Sequence, residues 1–293
     1  MPHRLLFLLC LLAMPLLAVP SAAQIIVGTV TGGPGQQPVP FVNIGLPARG
    51  LGTVSDEQGR YRLAYNPAYA ADTVRVSSIG FEHRLLLFAA LLAGPAIQLT
   101  PAPVSLAEIR VVAPNAYHRT HTLGVDKPAP HFDMHMVTNE LGTELGTIVH
   151  LQRKPTLVQS LHIAVVKNEA GPLTFRLNLY RMDAKGKPTT EKLLNRDVLL
   201  TAMPQPGVLT ADLAADHLVV TEDFLLAVEW VKGTGTTAPD LAKQLSFGGA
   251  MKYGEIFYMR RTSQATWQKP TFNSNVPMLG MRPQVAIYAT VRD

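Results

Sequence analysis

Short apolar runs alternate with polar positions along most of the chain, and Gly, Pro, Asp and Asn interrupt them at short intervals. A period of two is the mark of a half-buried strand. Residues 25–30 form the first such run, closed by Gly32-Gly33-Pro34-Gly35. Further strands are predicted at 39–44, 52–55, 60–63, 73–77, 82–88, 96–99 and 108–112. Asp56-Glu57-Gln58-Gly59 sits between two of them and reads as a tight hairpin, with Asp opening the turn and Gly in the left-handed position. Residues 85–92 suit a strand or a short helix, since periodicity does not separate the two over so short a run. The set predicts a small β-sandwich over residues 24–112.

Pro101, Pro103, Pro114, Pro128 and Pro130 then punctuate a thinner stretch, and residues 113–130 read as a linker. A second strand series starts near Phe132, with runs at 147–149, 157–166, 173–181, 197–201, 208–213, 224–231, 256–260 and 285–291. Residues 173–180 alternate in the manner of a sheet with one wet face. Only 238–245 looks helical. The expected fold class is therefore all-β: a small sandwich, then a larger jelly-roll-like sandwich at 131–293.

Charge and composition narrow the setting. Charged residues make up 16% of the chain, and Lys+Arg 26 against Asp+Glu 21 leaves +5. No block of basic residues exists, so nucleic acid is not an expected partner. The start is different in kind: His3 and Arg4, an apolar run at 5–17, then Ser21-Ala22-Ala23. This pattern predicts a secretory signal peptide at 1–23, cleaved after Ala23. Cys10 is the only cysteine, so the mature chain would have no disulfide and depend on its cores, which suits a bacterial envelope. No later run reaches spanning length, so no transmembrane segment is expected after cleavage. The expected location is the periplasm, the outer membrane's periphery or the cell surface.

Several motifs occur in a telling order. They are Gly28-Thr29-Val30, Pro38-Val39-Pro40-Phe41-Val42-Asn43-Ile44, the stretch from Gly52 to Tyr61, Val76-Ser77-Ser78-Ile79-Gly80-Phe81, Ile97-Gln98-Leu99, and the run from Leu106 to Val112. On these, residues 25–112 resemble the carboxypeptidase-regulatory-like domain, a transthyretin-like β-sandwich. The resemblance implies an accessory module without catalytic residues of its own. Such domains head TonB-dependent receptors of Bacteroidetes-type bacteria and also stand in smaller envelope proteins. The rest of this chain is too short for a receptor plug and a 22-stranded barrel, since each spanning strand takes about 9–11 residues. The second half resembles, more faintly, jelly-roll binding modules at 160–165, 175–180 and 186–188, and that likeness transfers no site residue.

Catalytic motifs are missing from the sequence. No His-x-x-Glu, His-Glu-x-x-His, Gly-x-Ser-x-Gly or phosphate loop occurs. Asp212, Asp216, Glu222, Asp223 and Glu229 offer carboxylates, but nothing in the sequence pairs an acid with a base. One metal candidate remains. His131, Asp133 and His135 at i, i+2, i+4 would share a strand face and could grip a divalent metal, with His118, His121 or His150 adding a ligand. Simple alternation, with Phe132, Met134 and Met136 inward, explains the same spacing. The better binding candidate is aromatic: Tyr253, Phe257, Tyr258, Trp267 and Phe272, interleaved with Lys252, Arg260, Arg261 and Lys269. Exposed aromatics stack on sugars or anchor proteins, and cations add charge-assisted bonds. Trp267 leads this set, with Tyr253, Tyr258, Arg260 and Arg261, because Ser263-Gln264-Ala265-Thr266 reads as a polar turn at the surface. The competing account puts these aromatics in the core. The expectation is an exported, non-enzymatic envelope protein without a cofactor, binding a glycan, a peptide or an outer-membrane partner. A metal-dependent hydrolase using the His131 triplet and a plain scaffold are the alternatives.

Overall fold

The computed structural model describes residues 24–102, 117–136, 138–233, 240–254, 256–271 and 280–293. The signal peptide expected at 1–23, the strand expected at 108–112 and Phe272 lie outside the described residues.

The first sandwich is built from β1 (Gln24–Gly32), β2 (Gln37–Pro38), β3 (Asn43–Leu46), β4 (Leu51–Val54), β5 (Arg60–Tyr65), β6 (Thr73–Ser77), β7 (Arg84–Leu87) and β8 (Ala96–Leu99). One four-stranded sheet runs β2-β1-β5 with β8 parallel to β1, and the other runs β4-β3-β6-β7. Ile26 and Val30 point inward from β1 and meet Ile44, Tyr61, Leu63, Val76 and Ile97. Gly28 is required by close packing: a Cβ there would lie 2.1 Å from the Pro95 carbonyl and 2.7 Å from the Tyr61 ring. The Asp56–Gly59 turn forms as its sequence predicts. Asp56 Oδ1 accepts from the Gln58 and Arg60 amides at 2.9 and 2.8 Å, and Gly59 has φ +72°. Residues 85–92 divide between β7 and a single helical turn at Ala90–Ala93.

The second sandwich uses β9 (Thr120–Gly124), β10 (Asp133–Met134), β11 (Glu144–Val149), β12 (Thr156–Asn168), β13 (Leu173–Met182), β14 (Pro188–Lys192), β15 (Val198–Ala202) and β16 (Gly207–Asp212). It continues with β17 (Val219–Val220), β18 (Phe224–Lys232), β19 (Leu245–Tyr253), β20 (Tyr258–Arg260), β21 (Met281–Val285) and β22 (Ile287–Arg292). An eight-stranded sheet follows the order β10-β19-β12-β22-β9, with β16 and β17 on β12 and β21 on β19. A six-stranded sheet runs β14-β13-β18-β11-β20, with β15 on β13. Their inner faces enclose a large core in which Phe175 meets Phe247 edge-on at 5.6 Å. Among the described residues no helix is long and apolar enough to cross a membrane.

The stretch expected as a linker contributes a strand, since β9 pairs with β22 along Thr120–Gly124. Its Thr-His-Thr sequence is polar because an edge strand meets water on one side, which hid it from a hydrophobicity pattern. The two sandwiches also touch directly. Phe41 and Val54 of the first pack against Val231 of the second, and Gln264 Nε2 donates to Ser77 Oγ at 2.8 Å.

Candidate functional site

β13 turns Phe175, Leu177 and Leu179 into the main core, as a period-two strand must. Its opposite face carries Arg176, Asn178 and Tyr180, and these are buried as well. That face meets the first sandwich and the 258–268 segment rather than water.

Strand register makes a row of charges across this face. Arg176 lies opposite Glu229 of β18, Glu229 opposite Glu144 of β11, and Glu144 opposite Arg260 of β20. Arg176 Nη1 approaches Glu229 Oε2 at 3.2 Å, and Arg260 Nη2 approaches Glu144 Oε1 at 2.7 Å. The inner two members are like charges, so their partners must hold them. Asn178 Nδ2 donates to Glu229 Oε2 at 2.9 Å, and Tyr180 Oη donates to Glu144 Oε1 at 3.2 Å. Asn43 reaches across from the first sandwich. With its amide oriented to satisfy both neighbours, it donates to Glu229 Oε1 at 2.8 Å and accepts from Arg176 Nη1 at 3.2 Å. Arg176 Nη2 also donates to the Phe41 carbonyl, so one guanidinium ties the sandwiches together.

The two carboxyls are pushed in opposite directions. Burial raises Glu144, the charge of Glu229 adds to this, and Arg260 only partly offsets it. For Glu229 the burial penalty is outweighed by Arg176, Lys192 and the Asn178 hydrogen bond, and the net shift is downward. Lys192 of β14 is lowered, first by burial and then by the like charge of Arg176. A cleft of about 180 Å³ opens beside this row at the seam, lined by Arg75 and Ser77 of the first sandwich and by Arg176, Lys192 and Asp197 of the second.

The expected aromatic site is divided by the fold. Trp267 is only 9% exposed. Its Nε1 donates to the Thr189 carbonyl at 3.0 Å, its ring meets Tyr180 edge-on at 5.4 Å, and the Arg260 guanidinium lies 4.1 Å above it. Trp267, Tyr258 and Arg260 are thus together but inside, closing the outer face of the six-stranded sheet. This corrects the expectation of an exposed Trp267. The polar Thr262, Ser263 and Gln264 mark a seam rather than a solvent turn: Thr262 packs on Gly45 and Gly52, and Gln264 bonds Ser77. Tyr253 is 75% exposed, and Arg261 faces Glu140 at 3.7 Å, so neither joins the Trp267 group.

The proposed metal face is not assembled as one strand face. His131 sits in a turn with φ +60°, ahead of a strand that holds only Asp133 and Met134. Asp133 Oδ2 accepts from Ser246 Oγ at 2.9 Å, and His135 Nδ1 lies 3.1 Å from the Leu245 carbonyl. His121 faces Asp293, and His150 pairs with Asp223 at 2.7 Å. Among the described residues no three His, Cys, Asp or Glu side chains gather to hold a metal. Met134 and Met136 are buried while Asp133 and His135 are exposed, the outcome of plain alternation, and His131 is exposed in its turn.

Sequence reasoning missed the charge row. The available signal was a charge set between apolar neighbours inside a strand: Glu229 between Val228 and Trp230, and Arg176 between Phe175 and Leu177. A charge in such a run needs a buried partner.

Residues 26–88 match the family model of the CarboxypepD_reg-like domain, so the first sandwich carries a domain of that family. No curated protein matches the chain. Among solved structures, the clostridial cysteine protease Cwp84 after propeptide cleavage has 7% identity and a TM-score of 0.40, covering 59% of this chain and 40% of the protease chain. A structure of the cysteine protease and lectin-like domains of Cwp84 from Clostridium difficile has 9% identity and a TM-score of 0.35, covering 51% of this chain and 32% of that one. The infectious bursal disease virus Gx strain structure has 12% identity and a TM-score of 0.31, covering 92% of this chain and 63% of that one. The chain spans less than two thirds of each of these structures. At such TM-scores none of them bears on fold or function.

Proposed function

We propose that the protein is exported to a bacterial cell envelope and acts there, without catalysis, as a recognition or accessory module for a glycan, a peptide or an outer-membrane partner. The match of residues 26–88 to the CarboxypepD_reg-like domain carries this reading. The chemistry of the seam supports it. Glu144 and Glu229 are fully enclosed and each is held by an arginine, and Glu229 also takes the Asn43 amide from the first sandwich, an arrangement that ties structure together rather than facing a substrate. The pattern of residues 1–23 supports export.

Thermal unfolding of the purified protein against a polysaccharide panel tests binding, with pull-down from envelope extracts for protein partners. A ligand at about 100 times its Kd adds about 2.7 kcal/mol, a shift of several degrees at this size. A saturable shift or a stoichiometric partner is expected. A flat panel with no partner would leave a scaffold. N-terminal sequencing of protein from the envelope fraction should begin at Gln24, and an uncleaved cytoplasmic chain would end the export reading.

A further inference from the structure

We infer that the cleft between the sandwiches is a binding site for a small organic oxyanion, one carrying a carboxylate, sulfate or phosphate group. The inference deepens the binding reading above and rests on it. The cleft encloses about 180 Å³, whereas one water needs only about 10–15 Å³. It therefore takes a polyatomic ligand rather than a single ion.

Its charge is unbalanced. Three cations line it, Arg75, Arg176 and Lys192, against one carboxylate, Asp197. Arg176 is already engaged by Glu229, Asp197 and the Phe41 carbonyl. The other two are not. Arg75 Nε is buried without a hydrogen-bond partner, and among the described residues neither Arg75 nor Lys192 has a carboxylate within ion-pair distance. Burial first, and then the like charge of Arg176, lowers the Lys192 ammonium pKa despite the more distant charges of Glu229, Asp197 and Glu144, which agrees with a cation that no carboxylate contacts directly. The walls come from both sandwiches. β6 supplies Arg75 and Ser77, with Ser78 following it, and β14 supplies Thr190 and Lys192. Ser77 Oγ accepts from Gln264, which leaves its own hydrogen free to donate. A guanidinium and an ammonium facing one space, with hydroxyl donors around them, is the donor set an oxyanion needs. Asp197 offers an acceptor to a ligand hydroxyl, which favours an organic anion over a bare one.

Calorimetric titration of the purified protein at low ionic strength with glucuronate, sulfate and inorganic phosphate tests this. One saturable site is expected, weakened at least tenfold in Arg75→Leu and in Lys192→Met. Burial penalises the Lys192 ammonium more than its neighbouring charges favour it, so Lys192→Met should fold even if Arg75→Leu does not. Binding should also weaken as the pH rises toward the Lys192 pKa, because the ammonium loses its proton. Tighter glucuronate binding assigns an acidic sugar, and tighter phosphate or sulfate binding assigns a phosphorylated or sulfated one. Both support the site. No saturable binding of any of the three, or binding unchanged in both variants, overturns it. A polysaccharide shift that survives both variants would keep the wider binding reading and remove this cleft from it.

Discussion

Arg176→Met isolates what the charge row contributes. Methionine keeps the length of the apolar stem and removes the guanidinium. Glu229, fully buried, would then keep only Asn178 and Asn43 as close donors, and the Phe41 carbonyl would lose its bond. Removing one partner of a buried pair costs about 3–5 kcal/mol, because the other charge stays enclosed. At roughly 2–4 °C per kcal/mol for a chain of this size, Tm should fall by about 6–20 °C. The pH dependence carries a second signature. In the native protein the folded Glu229 pKa lies below its ordinary 4.5, since Arg176, Lys192 and Asn178 outweigh burial. Its contribution is therefore present above pH 4.5 and is lost as pH falls through the lower folded value. Without Arg176, burial takes over and the folded pKa rises above the unfolded one. The contribution is then full below the unfolded value and lost as pH rises through the folded one. Unfolding in urea at about pH 7 and about pH 5 should show the gap between native and variant narrowing on acidification. A Tm within about 2 °C of the native value, or a gap independent of pH, would refute a dry, locked pair.

Three further changes test other parts of the fold. Trp267→Ala removes a buried ring and its contact with Arg260, and should cost about 3–5 kcal/mol in chemical unfolding, where an exposed binding residue would cost almost nothing. Gly28→Ala puts a methyl 2.1 Å from the Pro95 carbonyl, so its cost should exceed the roughly 1–3 kcal/mol of ordinary overpacking, and a native Tm would contradict the packing described. His162 of β12 stacks on Tyr288 at 4.4 Å, and burial holds its imidazole below 6.5, so its contribution is present above that value and lost as pH falls through the folded one. His162→Gln should flatten this part of the stability profile between about pH 7 and about pH 5, and an unchanged slope would remove His162 from it.

How much of this was legible in the sequence varied with the kind of residue. Alternation in 25–30 and 173–180 located β1 and β13, and Asp56 with Gly59 announced their turn, because these signals act within a few residues. The Thr120–Gly124 strand was not legible, since an edge strand of mixed polarity lacks a clear period. The seam was the larger gap. Ser263 and Gln264 look like solvent residues until the first sandwich covers them, and Trp267 therefore looked exposed. Arg176, Glu229, Glu144 and Arg260 come from four separate strands that only their pairing registers bring together, and Asn43 of β3 joins them only because the first sandwich packs on that face. Local pattern carries no information about such long-range register.

Why the seam is charged rather than apolar follows from geometry. Two flat sheet faces held by hydrophobic contact alone can slide, because the hydrophobic effect has no direction. The bonds from Arg176 to the Phe41 carbonyl and from Asn43 to Glu229 each accept one relative placement. Replacing the pair together, in Arg176→Met with Glu229→Leu, removes both charges and their desolvation cost, and such exchanges are often neutral or stabilising by about 1–4 kcal/mol. The double variant should therefore regain most of the Tm lost in Arg176→Met. It should nevertheless loosen the placement of one sandwich on the other, read as faster hydrogen exchange at the Ser77 and Gln264 seam. Restored Tm together with native protection at that seam would show that apolar packing alone sets the orientation, and that the charges are dispensable to it. Restored Tm with lost protection would assign the row to orientation, and through it to the shape of the cleft whose two walls belong to different sandwiches.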